Sequence, residues 1–170
     1  GGNAKRYTST KKICVGRYLR SSSSGGNPGD PSSVMIPDVT QGCEHIQFEL
    51  LASSDIENYF INIVARNEDT AGITLDGLSI SHTFIPIDTA YCFSQIAYSA
   101  STHVLESSLG PVVAECYGLG YYASYAYMLG RTFTDTKSSV CPEHTTAGRD
   151  FWMMFLYNHN IAGTYPQNRR

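Results

Sequence analysis

Short apolar runs, separated by turn residues, follow one another along most of the chain. They are rich in β-branched and aromatic side chains and are bounded by Gly, Asp, Asn or Ser, as is typical of β-strands. No stretch longer than about eight residues keeps a helical period. The pattern predicts an all-β fold, an antiparallel β-sandwich of about ten short strands in two packed sheets, with no significant helix. The runs occupy residues 12–19, 34–39, 43–51, 58–66, 72–80, 82–87, 91–99, 103–108, 112–120 and 124–129.

One further apolar run, at 149–158, lies near the C-terminus. Successive side chains of an extended strand point to opposite sides, and here both sides are apolar. Such a strand requires cover on both faces, and its burial is worth on the order of 10 kcal/mol before ordering costs. We therefore interpret it as a self-assembly strand that docks on a neighbouring copy of the chain. Its members are Phe151, Trp152, Met153, Met154, Phe155, Leu156 and Tyr157.

Polar and flexible residues divide the chain into three parts. Residues 1–20 form an N-terminal arm with one short strand, and residues 21–33 form a linker rich in Ser, Gly and Pro. Residues 34–170 form the β-sandwich domain, which includes the apolar run near its end. The linker is either a surface loop or a hinge that lets the first strand dock away from its sequence neighbours.

Composition and charge narrow the class of protein. Charged residues make up 16% of the chain, below the roughly 25% of ordinary soluble domains. Ser, Thr, Gly, Tyr and Asn are plentiful, which is typical of a secreted or cell-surface β protein. The net charge of -3, without a dense basic patch, argues against a nucleic-acid partner. No window approaches 18 consecutive apolar residues, so we expect no membrane span.

Five cysteines, at positions 14, 43, 92, 116 and 141, are widely spaced. They form no CxxC pair and no Cys/His cluster, so we predict no metal site and no cofactor. Buried thiols and disulfides are the two alternatives, and the extracellular composition favours disulfides. We predict a disulfide between Cys92 and Cys116, because both fall in strand-like runs on either side of a short intervening strand.

Sequence motifs of catalysis are absent. The five histidines are scattered singly, and there is no G-x-S-x-G, H-E-x-x-H or P-loop sequence. We therefore predict no catalytic residues and no enzyme activity. Acidic residues at 55–57 and 68–69, with Asp76 downstream, offer oxygen ligands for calcium, but a solvated loop is the simpler explanation. Asp76-Gly77 between two short apolar runs predicts a type I′ hairpin turn.

Tyrosines are concentrated between residues 117 and 127. The alternation at 124–129 suits cross-strand packing, in which each phenol tip reaches solvent or a backbone partner. The alternative is a recognition surface for glycans or surface proteins. It would consist of Tyr117, Tyr121, Tyr122, Tyr125 and Tyr127.

Residues of about 44–130 resemble the closing half of the IgGFc-binding-protein N-terminal domain. That half shows G-x-H-x-x-x-S, matched by His103 and Ser107 with Ser101-Thr102 where glycine is usual. It then shows Y-G-x-x-x-x-x-S-Y-x-Y-x-x-G, matched by Tyr117, Gly118, Ser124, Tyr125, Tyr127 and Gly130. The resemblance implies an extracellular β-sandwich used in adhesion or surface architecture, and it implies no catalytic residues.

The order of the elements departs from that family. Residues 148–158 resemble the family's opening strand, G-x-x-F-W-x-x-F-x-x-N, yet they follow the closing half. A circular permutation, a fragment of tandem repeats and a strand that completes the next subunit are the three explanations. We expect a structural subunit of an extracellular filament or pilus-like fibre, assembled head-to-tail through terminal strands. The alternative is a monomeric adhesin, a glycan- or protein-binding module of a larger cell-surface protein.

Overall fold

Extended strands make up most of the regular structure. The structure, a computed structural model, describes residues 4–11, 13–19 and 29–132. Three 3₁₀ helices, Val39–Gln41, Asn67–Gly72 and Ser81–Thr83, lie between strands. The strands of the described part are β1 (Val15–Leu19), β2 (Ser32–Ile36), β3 (His45–Glu49), β4 (Asn58–Arg66), β5 (Ile73–Leu75), β6 (Leu78–Ser79), β7 (Ile85–Pro86), β8 (Tyr91–Tyr98), β9 (Thr102–Ser107), β10 (Val113–Gly120) and β11 (Ala123–Met128).

The strands form two larger antiparallel sheets and a two-stranded ribbon. The five-stranded sheet has the order β11-β10-β4-β8-β7, the four-stranded sheet has the order β3-β9-β5-β6, and β1 pairs with β2. The predicted all-β sandwich is therefore confirmed, and β4 has the predicted bounds. The apolar run at 149–158 lies outside the described residues, so its strand structure stays a prediction.

An apolar core lies between the two larger sheets. Ile61 and Ile63 of β4 face this core, and Ile46 and Leu105 of the four-stranded sheet reach it from the other side. Because strand side chains alternate, one face of each sheet supplies the core. Each of these aliphatic side chains is buried, which contributes about 1.5–3 kcal/mol per side chain.

The β5–β6 hairpin turns at Asp76-Gly77, as the sequence predicts. Both residues have positive φ, 52° and 77°, which is the backbone conformation of a type I′ turn. Asp76 also ties this turn to β9, since its Oδ1 accepts a hydrogen bond from the backbone N of Val104 at 2.8 Å. The hairpin is therefore fixed by its turn chemistry and by its neighbouring strand.

The β1–β2 ribbon packs on the outer face of the five-stranded sheet. Arg17 of β1 lies opposite Val34 of β2, so β1 pairs with the strand nearest to it in sequence. Residues 21–28 of the linker lie outside the described part. The Arg17 guanidinium forms an ion pair with Glu115 of β10 and lies over the Tyr117 ring. Consequently β10 is covered on both faces, by the core on one side and by the ribbon on the other.

The predicted disulfide between Cys92 and Cys116 is wrong. Both residues are buried free cysteines. Cys92 lies on β8 and Cys116 on β10, and the whole of β4 runs between these strands in the sheet. Two strand spacings separate their backbones by about 10 Å or more, beyond the roughly 7 Å that a disulfide spans. The two thiols pack instead as small apolar side chains.

Candidate strand-docking site

Two edge strands, one from each sheet, lie side by side. Within the described residues, β3 pairs only with β9, and β11 pairs only with β10. The Tyr127 hydroxyl of β11 donates to the backbone oxygen of Glu49 of β3, which shows that the two edges are neighbours. We call the space between these edges the β3–β11 groove.

The backbone of β3 points its unused hydrogen-bonding groups toward this groove. The oxygen of Glu44 and the N–H of Leu50 bond to the β9 side, to Ser107 and Ser101. In an antiparallel strand the direction alternates from residue to residue, so His45, Gln47 and Glu49 direct their backbone groups outward. Of these groups, the oxygen of Glu49 already accepts from the Tyr127 hydroxyl. The groove therefore has the hydrogen-bonding edge that an added strand requires.

The β3–β11 groove has a volume of about 380 Å³. It is lined by Cys43, residues 45–48 and residues 127–130. Backbone hydrogen bonds between Cys43 and Val112 join the two sheets at Cys43. Ile46, Phe48 and Leu129 belong to the core, so the groove opens directly onto buried apolar side chains.

Two phenols and one thiol of β10 and β11 lie near the groove and are neutral. Burial raises the pKa of the Tyr127 phenol, and its hydrogen bond with Cys116 raises it further. Burial also raises the pKa of the Tyr125 phenol and that of the Cys116 thiol, the latter to about 11. These three groups therefore stay uncharged at physiological pH.

The chain leaves the described body close to the groove. Gly130, at φ 110°, turns the backbone after β11, a conformation that favours glycine. The backbone N–H of Thr132 then donates to the backbone oxygen of Gln41 at 2.8 Å, and its hydroxyl donates to the backbone oxygen of Gly42 at 3.1 Å. The predicted self-assembly strand, residues 151–157, lies in the 38 residues that follow, which are outside the described part.

The five tyrosines of the predicted recognition surface lie in three different places. Tyr117 is buried, stacked on Phe60 with ring centroids 5.0 Å apart. Tyr125 and Tyr127 are half-buried, stack on each other at 5.9 Å and pack against the core. Only Tyr121 and Tyr122, at the β10–β11 turn, are exposed. The described residues thus assign packing to three tyrosines and leave two for recognition.

The structure also reveals a polar cluster that sequence reasoning missed. His103 is buried, and its Nδ1 lies 2.8 Å from Asp76 Oδ2 while its Nε2 lies 2.9 Å from the oxygen of Ser99. The Tyr98 hydroxyl donates to the same Asp76 oxygen at 3.0 Å. Desolvation opposes ionisation of Asp76, but its hydrogen bonds from Val104, His103 and Tyr98 outweigh it and lower the pKa. This cluster holds the β5–β6 hairpin against β9.

The motif serine Ser107 has a related structural role. Its hydroxyl donates to the oxygen of Gly110 at 2.5 Å and thereby fixes the turn between β9 and β10. Within the described ranges, no three His, Cys, Asp or Glu side chains converge as metal ligands. Nor does this part of the chain contain a helix that is long and apolar enough to span a membrane.

The fold and the groove define an antiparallel β-sandwich module with adjacent open sheet edges. The family model described as IgGFc binding protein matches residues 2–118, and the chain belongs to this family. The predicted resemblance is confirmed up to residue 118. The match begins earlier than expected, so that it includes the β1–β2 ribbon, and it ends before the motif residues Ser124, Tyr125, Tyr127 and Gly130. No curated protein and no solved structure matches the chain.

Proposed function

We propose that the chain is a structural subunit of an extracellular assembly, in which residues 151–157 of one copy dock into the β3–β11 groove of another. The observation that carries this proposal is the adjacency of two edge strands, each with one ladder partner in the described residues, over a groove that opens onto the core side chains Ile46, Phe48 and Leu129. An open edge invites pairing with another strand unless something covers it. A strand placed between two sheets contacts the edges of both, which suits a segment that is apolar on both faces.

The length of chain after Thr132 supports this docking. Eighteen residues separate Thr132 from Phe151, and they span up to roughly 60 Å when extended. The segment can therefore reach beyond its own groove to that of a neighbour. A donor strand on one subunit and an acceptor groove on the next form a heterologous contact, which produces an open filament when the rotation does not close.

The family supports a protein partner and an extracellular location. Its description names binding of the Fc part of IgG, which is a protein of the extracellular space. Recognition of a polypeptide is therefore within the scope of the family. Secretion or display on the cell surface, as a non-enzymatic interaction protein, is the corresponding proposal for this chain.

A block at the acceptor edge provides a sharp test. Gln47→Pro removes an outward N–H and places a proline ring where the added strand would pair. The Gln47 side chain is exposed, so the fold of the subunit tolerates this substitution at the edge strand. Gln47→Thr is the matched control, since it keeps the N–H. We expect sedimentation velocity to show assemblies for the full chain and for Gln47→Thr, and single subunits for Gln47→Pro with an unchanged unfolding midpoint.

Removal of the donor tests the other half of the contact. A chain lacking residues 149–170 should not assemble, and a separate peptide of residues 149–158 should bind it. A peptide with serine in place of Trp152 and Phe155 is the control. Assembly that persists in both Gln47→Pro and the truncated chain would refute the proposal.

A further inference from the structure

The exposed tyrosines Tyr121 and Tyr122 form the two-residue turn between β10 and β11. Their side chains are 72% and 65% exposed, and their ring centroids lie 4.2 Å apart with the planes at 65°. The two rings therefore contact each other in solvent, away from the apolar core. Burial does not explain why large aromatic side chains occupy this turn.

The backbone of Tyr122 has a conformation that is strained for a tyrosine. Its φ is 55°, in the left-handed region that bulky residues avoid. Asn-Gly or Asp-Gly would form a two-residue hairpin turn with less strain. Strain of this kind is retained mainly at functional sites.

The hairpin tip is also held in place by the loop beside it. A Cβ on Gly120 would lie 1.6 Å from the backbone oxygen of Asp55, so the two backbones are in direct contact at this glycine. The N–H of Glu57 donates to the oxygen of Leu119 at 3.0 Å. The aromatic pair is thus mounted on a supported hairpin, which lowers the entropic cost of binding.

Polar residues lie on the two elements next to the hairpin that carries the aromatic pair. Asp55 is exposed on the supporting loop, with Ser54 beside it, and exposed Asn58 begins β4 opposite Leu119. A carboxylate, a hydroxyl and an amide on elements beside two exposed aromatic rings match the chemistry of a sugar. The apolar C–H face of a pyranose packs on an aromatic ring, and its hydroxyls need hydrogen-bond partners when they lose water.

We propose that the β10–β11 tip is a carbohydrate-binding site, with Tyr121 and Tyr122 as the stacking platform and Asp55 and Asn58 as hydroxyl partners. A protein partner fits less well, because the chain neighbours of the pair are Gly120 and Ala123 and supply no apolar ring around it. Protein hot spots are surrounded by contacts that exclude water. This site is separate from the β3–β11 groove and does not depend on strand docking.

Glycan-array binding of the full chain tests this proposal. The array carries neutral and sialylated oligosaccharides, and the variant is Tyr121→Ser with Tyr122→Gly. Tyr7→Ser is the control, because Tyr7 is 64% exposed. The adjacent Arg6 pairs with Asp88, just before the start of β8, whereas the tip lies at the Tyr98 end of the sheet. We expect at least a tenfold loss of binding for the tip variant and none for the control. Because glycine relieves the strain at position 122, the tip variant should keep or raise the unfolding midpoint.

Three results would overturn the carbohydrate site. The first is that the full chain binds no oligosaccharide on the array. The second is that the tip variant binds as tightly as the full chain. The third is that binding to a mucin survives enzymatic removal of its glycans, since that would identify a protein ligand. Gln47→Pro, which blocks the groove, should bind glycans normally and so separates this site from assembly.

Discussion

Replacing Arg17 with methionine tests how the β1–β2 ribbon is held on the sheet. The Arg17 guanidinium pairs with Glu115 and lies 5.2 Å from the centroid of Tyr117. Glu115 is only 7% exposed, and its other partner is Asn62, whose side-chain nitrogen donates to Oε1 at 2.7 Å. Methionine keeps much of the apolar stem but leaves a buried carboxylate without its cation.

The expected loss in the free energy of unfolding follows from the burial of Glu115 and the partial burial of Arg17. Removing one partner of a fully buried ion pair costs about 3–5 kcal/mol. The Arg17 side chain is 34% exposed, so water replaces part of the lost interaction and we reduce the expectation to about 2 kcal/mol. Loss of the contact with the Tyr117 ring is included in that figure.

Urea denaturation measures this loss, and hydrogen exchange locates it at the β1 amides. Arg66→Met is the matched control, because the Arg66–Glu68 pair is exposed at 61% and 76% and its loss costs at most about 1 kcal/mol. Adding Glu115→Gln to the Arg17 variant should recover part of the stability, since no buried charge then lacks a partner. Equal costs for the Arg17 and Arg66 variants would refute this account of the ribbon.

Three further predictions concern the turn cluster, the thiols and the chain exit. The lowered pKa of Asp76 stabilises the fold above the unfolded pKa of about 4, and this stability is lost as the pH falls through the folded pKa. The free energy of unfolding of Asp76→Asn should therefore fall less steeply with decreasing pH than that of the original chain. Parallel curves for the two proteins would contradict this. Cys92 and Cys116 should react with iodoacetamide only after unfolding. A reductant should leave the unfolding midpoint of the body unchanged. If neither thiol is labelled in urea, the two cysteines are cross-linked. Gly130→Ala should cost about 1–2 kcal/mol in urea because of its φ of 110°, whereas Gly16→Ala, whose added Cβ meets nothing closer than 3.6 Å, should cost less than half as much.

Strands bounded by clear turn signals were predictable from sequence. β4 combines β-branched and aromatic residues between polar ends, and its bounds agree with the prediction. The run at 82–87 was less predictable, because Ser81–Thr83 forms a 3₁₀ helix and β7 has only two residues. The Thr83 hydroxyl lies 2.7 Å from the oxygen of Ile80, a local bond that competes with strand pairing.

Features that depend on the order of strands in space were not predictable. The position of β4 between β8 and β10 rules out the predicted disulfide. The spacing of the cysteines along the chain does not indicate this strand order. The β3–β11 groove likewise joins segments about 80 residues apart. His103 and Asp76 meet only because β9 pairs with β5, although the family motif does single out His103. Among the tyrosines, alternation correctly indicated packing for Tyr125 and Tyr127.

The burial of Cys92 and Cys116 as thiols has a consequence for biosynthesis. The five-stranded sheet reaches its native packing without an oxidation step, so its folding does not depend on an oxidoreductase or on the redox potential of the compartment where it is made. Production in the reducing cytosol of a bacterial host should therefore give a correctly folded body. Solvent-facing Cys14 is the described cysteine best placed for later cross-linking, once the protein meets an oxidising environment.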